Sequence, residues 1–342
     1  MSIADFRVSV IIPVYNAALF VRKAVESANI LDETGEILLI EDGSPDNGLE
    51  VCMLLEKEFS KVKCIQHPDK GNHGAAASRN LGIISATSNF IAFLDADDYY
   101  LPNRFSKDKE ILIQHKEIEG VYNALGIHYY TEKGKAQFIG AGYQYQEFYT
   151  VSGEVPPDEL FSVLFNQHPS YTGEFHGNTI TVRKEVFEKT GLFKTNINII
   201  EDTHLWRRMA AVCKLAPGNI QKAVAIRGVH DDNRMIDKIE QSRYYDLWWS
   251  DLNNWLVAHH VSKANLTCFK SACLNYQILH HSFIKTIPSF ANFFIHHARF
   301  IKEEYGLFDT YFFNLFGRHW LPIHLISLKN KFFGHLQKKK IS

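Results

Sequence analysis

The chain has 342 residues, of which 46% are hydrophobic, and this is enough for one large domain or for two ordinary domains with real cores. Only 22% of the residues are charged and the formal net charge is −1, which argues against a disordered chain and against a globally basic nucleic-acid-binding protein. The charge is uneven, because residues 1–260 carry a net −9 and residues 261–342 a net +8. A basic C-terminal region of this kind suggests an anionic partner such as a membrane surface.

The cysteines and the apolar runs bear on the cellular compartment. Five cysteines without a Cys-x-x-Cys pair indicate neither a zinc site nor a disulfide framework, and they favour a reducing cytoplasm. The sequence has no run of about 18 uncharged apolar residues, and the apolar run Val8–Val14 is too short for a signal peptide. We therefore expect a cytoplasmic protein that is either free or peripheral at the inner face of the membrane.

The N-terminal hundred residues alternate between strand and helix patterns. Val8–Val14 is nearly continuous and rich in β-branched residues, which is typical of a strand buried on both faces of a parallel sheet. Further strands are predicted at 36–40, 62–66 and 90–94, and helices at 17–29, 46–59 and 74–85. This alternation predicts an α/β fold with a mostly parallel sheet flanked by helices.

The patterns then change twice along the chain. The remaining predicted elements of the first domain are short strands and loops at 120–150, a loop with a short helix at 151–175, a strand at 179–183, a helix beginning near 201 and a strand at 223–228. We expect this domain to comprise residues 1–235. Residues 236–342 are helical, aromatic and basic in pattern, with helices expected at 244–257 and 290–305. They form either a membrane-binding surface or an ordinary helical subdomain.

Acidic residues follow the predicted strands, at the edge of the sheet where ligands of α/β proteins bind. Asp95 and Asp97 are separated by one residue and come directly after an apolar strand. Such a pair can hold a divalent cation and leave positions open for a diphosphate. The alternative is that Asp98 caps a following helix. Gly43 and Gly48 have the spacing of a phosphate loop, but Leu49 stands where that loop requires lysine.

Five motifs in this order resemble family-two glycosyltransferases of the GT-A fold. They are VSVIIPVYNA (8–17), EDGSPD (41–46), NHGAAASRNLG (72–82), DADD (95–98) and EDTHLWRR (201–208). The resemblance covers roughly residues 6–235. It implies an inverting, metal-dependent enzyme that moves a sugar from a nucleoside-diphosphate sugar to a saccharide or lipid-linked acceptor. By analogy with the family, the expected setting is bacterial cell-surface polysaccharide synthesis.

The resemblance also implies donor-binding roles, which fall on Pro13, Tyr15, Asp42, Arg79 and Asp95. Pro13 and Tyr15 correspond to residues that pack on the nucleobase, and Asp42 corresponds to a carboxylate that accepts hydrogen bonds from the base. Asp95 corresponds to the acid near the donor ribose. For Arg79 a donor contact and a polar anchor between helix and sheet are both open. Glu41 is a mild departure, because the family usually has aspartate there.

Further roles concern the metal, the base and the acceptor. Asp97 is expected to bind Mn²⁺ or Mg²⁺, with His230 as a further ligand or a diphosphate contact, unless His230 is only structural. Asp202 is the expected catalytic base, although an acid at this place also suits the first turn of a helix. His176 and Asn178 lie where acceptor-side loops occur in the family.

Two other functions stay open. A sugar nucleotidyltransferase would share the sheet and the metal-binding carboxylates, but it would normally carry a glycine-rich basic loop where this chain has YNAA (15–18). The other is a catalytically degenerate donor-fold module that serves as a membrane-associated partner subunit. That alternative predicts damaged carboxylates, whereas Asp95, Asp97 and Asp202 are all present.

Overall fold

The structure is a computed structural model that describes residues 6–140, 148–197, 199–231, 233 and 238–280, without the side chains of 238–243 and 277–280. The predicted helix at 290–305 and most of the basic C-terminal region lie outside the described residues. The chain divides into two compact units after Asn265. In the part of the chain that is described, no helix is both long enough and apolar enough to cross a bilayer.

Seven described strands form the main sheet, in the order β3-β2-β1-β4-β8-β6-β9. They are β1 (Val8–Val14), β2 (Thr34–Glu41), β3 (Val62–Gln66), β4 (Phe90–Phe93), β6 (Gly120–Tyr122), β8 (Ile180–Arg183) and β9 (Leu215–Pro217). Strands β3, β2, β1 and β4 are parallel, whereas β8 runs antiparallel to both β4 and β6. A smaller sheet has the order β5-β10-β7, with β5 at Tyr99–Tyr100, β7 at Ala124–Tyr129 and β10 at Ala223–Val229.

Helices cover the main sheet and continue beyond it. They are α1 (Val21–Asn29), α2 (Gly48–Glu58), α3 (Gly74–Ser85), α4 (Ser106–Gln114), α5 (Glu132–Gly140), α6 (Leu160–Leu164), α7 (Val186–Thr190), α8 (Glu201–Val212), α9 (Lys238–Ala258) and α10 (Lys263–His280). Short 3₁₀ turns form at Pro157–Glu159 and Gly177–Thr179. This mixed fold, with a mostly parallel central sheet, confirms the predicted fold class.

Strand β1 lies at the centre of the parallel region, between β2 and β4. Its residue Ile11 pairs with Leu38 on one side and Phe93 on the other, and all three side chains are buried. Burial on both faces explains why the strand has an apolar run rather than an alternating pattern. Helix α3 packs against β1 so closely that a Cβ atom on Gly82 would lie 2.4 Å from Ile11 Cγ2. The glycine therefore fixes how near α3 comes to the sheet.

A buried ion pair holds the antiparallel strand β8 in place. Arg104 and Asp108 are both wholly buried and lie 2.7 Å apart, Nη1 to Oδ2. The same guanidinium donates to the carbonyl of Asn178 at 3.0 Å and to that of Ile180 at 2.9 Å. Asp108 also accepts a hydrogen bond from Thr181. Because the guanidinium and the carboxylate are matched and further bonded, the turn Gly177–Thr179 is rigidly attached to α4.

Most predicted elements agree with the structure, and one differs. The strand at 62–66 and the helix at 74–85 have the predicted bounds. The region of helix α5 is predicted to form strands and loops, because its two glycines and lack of an apolar stripe hide the helical pattern; Phe138 is its one large buried side chain.

Helix α9 belongs to the first compact unit, which ends at Asn265. Within that unit Trp248 Nε1 donates to the Ile200 carbonyl at 3.3 Å. The domain boundary at residue 235 stays a prediction.

The close approach of α3 to β1 gives a stability prediction. Replacing Gly82 by alanine forces its Cβ against Ile11, so α3 or β1 must shift. Overpacking of this kind costs about 1–3 kcal/mol, and the better helix propensity of alanine, about 1 kcal/mol, offsets only part of it. We expect Gly82→Ala to lower the free energy of unfolding in urea by about 1–2 kcal/mol.

Gly140 provides the matched control, because it also lies in a helix and a Cβ there would meet no atom of the described residues within 4 Å. Gly140→Ala should leave the free energy of unfolding unchanged or raise it slightly. If the two substitutions changed the free energy of unfolding equally, the close packing at Gly82 would not be what makes alanine unfavourable there.

Candidate functional site

A cavity of about 800 Å³ opens beyond the carboxyl ends of β1, β2 and β4, beside the end of β10. Seven of the residues singled out in the sequence line it, namely Pro13, Tyr15, Asp42, Arg79, Asp95, Asp97 and His230. Three others, Asp202, His176 and Asn178, are not among its lining residues. The sheet thus brings together residues that are more than two hundred positions apart in the chain.

Asp42 follows β2 and faces the start of α3. Its carboxylate is almost wholly buried and accepts hydrogen bonds from the backbone N–H groups of His73 and Gly74, both at 2.8 Å. His67 Nε2 lies 3.4 Å from the same carboxylate. Backbone N–H groups at a helix N-terminus stabilise negative charge. Because each carboxylate oxygen has a second lone pair, hydrogen bonding to a ligand is still available, and the nucleobase role stays a prediction.

Arg79 connects two acids from distant parts of the chain. Its Nη2 atom lies 2.9 Å from Asp95 Oδ1, and its Nη1 atom lies 2.8 Å from Glu201 Oε1. Burial raises the pKa of Asp95, but the positive charge of Arg79 and its hydrogen bond outweigh burial, so the net shift is downward. Of the two alternatives for Arg79, these contacts favour the polar anchor.

Asp97 and His230 meet on one wall of the cavity. His230 Nε2 lies 3.4 Å from Asp97 Oδ2, and Asn233 Nδ2 donates to the same oxygen at 3.0 Å. The ring of Phe20 stacks on the imidazole with centroids 4.4 Å apart, which orients His230.

The donor atoms on this wall decide which kind of metal site is possible. Among the described residues, no group of three or more His, Cys, Asp or Glu side chains is arranged to hold a metal by itself. Mg²⁺ and Mn²⁺ are commonly bound by one or two carboxylates together with substrate phosphates. Asp97 and His230 therefore fit an ion that binds with a diphosphate, rather than one held by the protein alone.

Asp98 and Asn178 form a buried pair beneath the cavity. Asp98 accepts hydrogen bonds from the Gly228 backbone N–H at 2.8 Å and from the Asn178 side-chain amide. The amide oxygen of Asn178 accepts the Asp95 backbone N–H at 3.0 Å. Burial, together with the charges of Asp97 and Asp95, raises the pKa of Asp98 well above its usual range. Asp98 is thus a structural acid rather than a helix cap.

The acceptor-binding role of Asn178 stays a prediction, and in this structure its side chain is used by other protein groups. Its side chain is completely buried, and its amide is used by Asp95 and Asp98. His176 is partly buried, and its Nδ1 atom accepts the Asn178 backbone N–H at 3.3 Å. Burial lowers the pKa of His176 to about 4, so the imidazole is neutral at physiological pH. An acceptor role for His176 stays a prediction.

Asp202 lies in the first turn of α8, after a strained residue. Ile200, which precedes the helix, has a left-handed φ of 60°, a rare conformation for a β-branched side chain. The Asp202 carboxylate accepts its neighbour Thr203 N–H at 2.7 Å. Burial and then the charge of Glu201 raise the pKa of Asp202 to about 7, against the lowering effect of Arg79. Such an acid can exchange a proton near neutral pH.

The residues that line the cavity but are not among the predicted site residues include Phe20, Arg227 and Asn233. The signal for Arg227 was available, because it lies three residues before His230 at the end of a strand pattern. Asn233 also belongs to that segment. Phe20 precedes α1, and nothing in the sequence points to it, since a phenylalanine next to an amphipathic helix is expected in the hydrophobic core.

The N-terminal part of the chain is similar to known proteins. Residues 9–150 match the family described as glycosyl transferase family 2. Proteins named uncharacterized glycosyltransferases in Rickettsia felis and Rickettsia conorii are 35% identical over 226 residues, 65% of this chain. The alignments cover 33% and 32% of those proteins, so the chain spans about a third of their length. A third from Rickettsia typhi is 27% identical over 71% of this chain and 70% of its own.

Solved structures share the fold. The crystal structure of S. aureus TarS 1–349 in complex with UDP-GlcNAc superposes with a TM-score of 0.59 at 16% identity, over 80% of this chain and 73% of that chain. The crystal structure of TarS 1–349 gives 0.58 at 15% identity, over 84% and 78%. At this identity the likeness concerns the fold alone. Residues 9–150 are thus similar to glycosyl transferase family 2, and the fold is the GT-A fold that the TarS structures have.

Proposed function

We propose that this protein is a glycosyltransferase that moves a sugar from a nucleoside-diphosphate sugar to an acceptor hydroxyl with inversion. One observation carries the proposal: a single cavity is lined by the acids that follow β2 and β4 and by His230, and Arg79 connects it to the helix that bears Asp202. The names of the Rickettsia relatives and the nucleotide sugar bound to TarS support it.

The donor is proposed to fill the cavity with its nucleoside near β1 and β2. About 800 Å³ is within the range of ligand pockets and suits a molecule of this size. Pro13 and the half-exposed Tyr15 offer apolar surface for packing against the base. Asp42 has acceptor lone pairs for a base N–H, and Asp95 is proposed to lie near the donor ribose.

A Mn²⁺ or Mg²⁺ ion is proposed to be held by Asp97, with His230 as its second protein ligand. When bound, such an ion stabilises the negative charge that develops on the departing diphosphate. Arg227 lines the same cavity and adds a positive charge, as seen in its effect on the pKa of Asp95.

Asp202 is proposed as the general base. It accepts the proton of the acceptor hydroxyl while the hydroxyl oxygen bonds to the anomeric carbon and the carbon–oxygen bond to the diphosphate breaks. One carboxylate is enough for this single displacement, which inverts the anomeric centre. A pKa of about 7 suits proton transfer near neutral pH, which typically contributes a factor of about 10²–10⁴ in rate.

The acceptor and the setting belong to the proposal as well. We propose a saccharide or lipid-linked acceptor and a role in the synthesis of bacterial cell-surface polysaccharide. The proposed location is cytoplasmic, at the inner face of the membrane. The support is the net charge of +8 on residues 261–342, which favours an anionic surface. The partly buried His176 remains the candidate for acceptor contact.

Donor binding is the first test of this function. Thermal unfolding is measured with UDP-, GDP- and dTDP-sugars, each with and without Mn²⁺ or Mg²⁺. A donor at about 100 times its dissociation constant should add roughly 2.7 kcal/mol to stability, and we expect one nucleotide to do so in a metal-dependent way. Asp97→Asn should abolish the metal dependence, whereas Asp202→Asn should keep donor binding and lower turnover by about 10²–10⁴.

The exposed Asp158 supplies a control, because Asp158→Asn makes the same chemical change outside the cavity and should change neither quantity. If no nucleotide stabilises the folded wild-type protein, the degenerate donor-fold module replaces the enzyme as the better explanation. If Asp202→Asn turns over normally, the base is misassigned.

The raised pKa of Asp202 also predicts how stability depends on pH. Its pKa in the folded protein is about 7 against an ordinary 3.8, so folding favours the protonated acid. This contribution is complete below about pH 4 and is lost as the pH rises through 7. Asparagine resembles the neutral acid. We therefore expect Asp202→Asn to be about 2 kcal/mol more stable than wild type at pH 8 and equal near pH 4, by urea unfolding.

Here too Asp158→Asn is the matched variant and should follow the wild-type curve at every pH. A parallel offset of Asp202→Asn across the whole pH range would mean that the carboxylate is not a buried titrating group.

A further inference from the structure

The guanidinium of Arg79 links the cavity to the start of α8, because it forms ion pairs with Asp95 in the cavity and with Glu201 in the helix. Only 13% of its side-chain surface is exposed, and it reaches Asp95 and Glu201 through separate nitrogens at 2.9 and 2.8 Å. Its position is fixed by α3, since Gly82 lies one turn further along the helix and contacts β1. The link is therefore held by the core rather than by flexible surface side chains.

Asp202 follows Glu201 directly, so two negative charges share the first turn of α8. Apart from Glu201, the charged groups that act on Asp202 are Arg79, from α3, and Glu174, from the segment before the Gly177–Thr179 turn. Glu174 is itself paired with Arg207 at 2.7 Å.

Among the described side chains, those on the other elements packed on α8 direct their charges elsewhere. Helix α6 has no charged side chain, and on α7 Lys189 pairs with Glu119 while Glu188 is exposed. On α9, Asp251 pairs with Lys194 and faces His204 rather than Asp202. Arg79 is thus the cation that offsets the Glu201 charge beside Asp202.

We propose that Arg79 and Glu201 are positioning residues whose ion pair fastens the first turn of α8 to the nucleotide end of the sheet and thereby sets Asp202 for its work as the base. The inference rests on the proposed function for its catalytic meaning. It assigns Glu201 a part that the sequence left open, and it assigns Arg79 to the base rather than to the donor.

The geometry explains why arginine is needed at this position. A planar guanidinium presents donors in a fixed fork and can bind two carboxylates at once, whereas a lysine ammonium is a single point charge on a flexible stem. Without the pair, Glu201 keeps its full charge next to Asp202, and the base holds its proton more tightly. With Glu201 neutral, the uncompensated Arg79 acts in the opposite direction.

The pH dependence of kcat/KM tests the pair, because Asp202 must be ionised to act and activity falls as the pH drops through its pKa. The low-pH side of the profile, on which kcat/KM falls, is called the acid limb. Glu201→Gln removes a negative neighbour and should move the midpoint of the acid limb down by about one pH unit. Arg79→Met removes a positive neighbour and should move it up by about one unit. Arg79→Lys, which keeps the charge but not the fork, should restore the limb and only part of the maximal kcat.

Two control variants separate the pair from general effects of the substitutions. Glu174→Gln neutralises another nearby acid, but one bound to Arg207, so its shift should be smaller than that of Glu201→Gln. Arg22→Met changes an exposed arginine that pairs with Glu58 and does not line the cavity, and it should shift nothing.

The double variant Arg79→Met/Glu201→Gln gives a second readout. Each single substitution already breaks the ion pair, so the double variant should lower the maximal kcat no further than the more impaired single variant. Its acid limb should return close to the wild-type position, because the two opposite charges are removed together.

The possible outcomes are distinct. Variants that lower kcat equally at all pH values, with the acid limb unmoved, would reduce the pair to structural support and overturn the proposal. A tenfold rise in donor KM at unchanged kcat in Arg79→Met would make Arg79 a donor contact and overturn it too. Opposite shifts of the limb support it.

Failure of the proposed function is recognised separately. If the wild-type protein has no turnover with any donor, the pair is tested by the pH dependence of its unfolding free energy in urea. The midpoint that disappears in Asp202→Asn should move down in Glu201→Gln and up in Arg79→Met. A midpoint unmoved in both variants would overturn the positioning role whatever the enzyme does.

Discussion

The structure depends on how negative charge is compensated at the carboxyl edge of the parallel sheet. A carboxylate there loses part of its hydration, and hydrogen bonds or an opposite charge must compensate the free-energy cost of that loss. The chain solves this differently for each acid. Asp42 uses the N-terminus of α3, Asp95 uses Arg79, and Asp98 uses Asn178 and a backbone N–H. The folding of the edge is therefore inseparable from the placing of these groups.

This compensation divides the acids into two kinds. Asp98 is almost wholly buried and hydrogen-bonded to protein groups, so it shapes the loop after β4 and adds little exposed surface to the cavity that it lines. Asp97, one residue earlier, faces the cavity and is contacted by an imidazole and an amide that a cation can displace or share. Adjacent residues in one motif thus serve structure and chemistry respectively, which is possible because a turn directs consecutive side chains to different sides.

The sequence predicted the sheet well because its signals are local. The strand β1 is predicted by its nearly unbroken run of apolar residues, and the helix α3 by the helical spacing of its residues. The acids come directly after the strands that position them. The burial of Asn178 is of another kind, since it depends on Arg104, 74 positions away. Helix α5 was missed because its sequence has weak helical periodicity, and the packing of α9 on the first unit leaves no mark in composition.

A long-range network also explains why the turn at Gly177–Thr179 matters to the cavity. Arg104 holds the carbonyl of Asn178, and the Asn178 side chain holds both the Asp95 backbone and the Asp98 carboxylate. Displacement of the turn would therefore move the loop that carries Asp95 and Asp98 as well, because these contacts are buried or partly buried and costly to lose. The antiparallel strand β8 is the element that carries this turn to the edge of β4. Because β8 is inserted next to β4, its preceding turn supports the loop that carries Asp95, Asp97 and Asp98. The side chains of that loop that face the cavity therefore keep their relative positions.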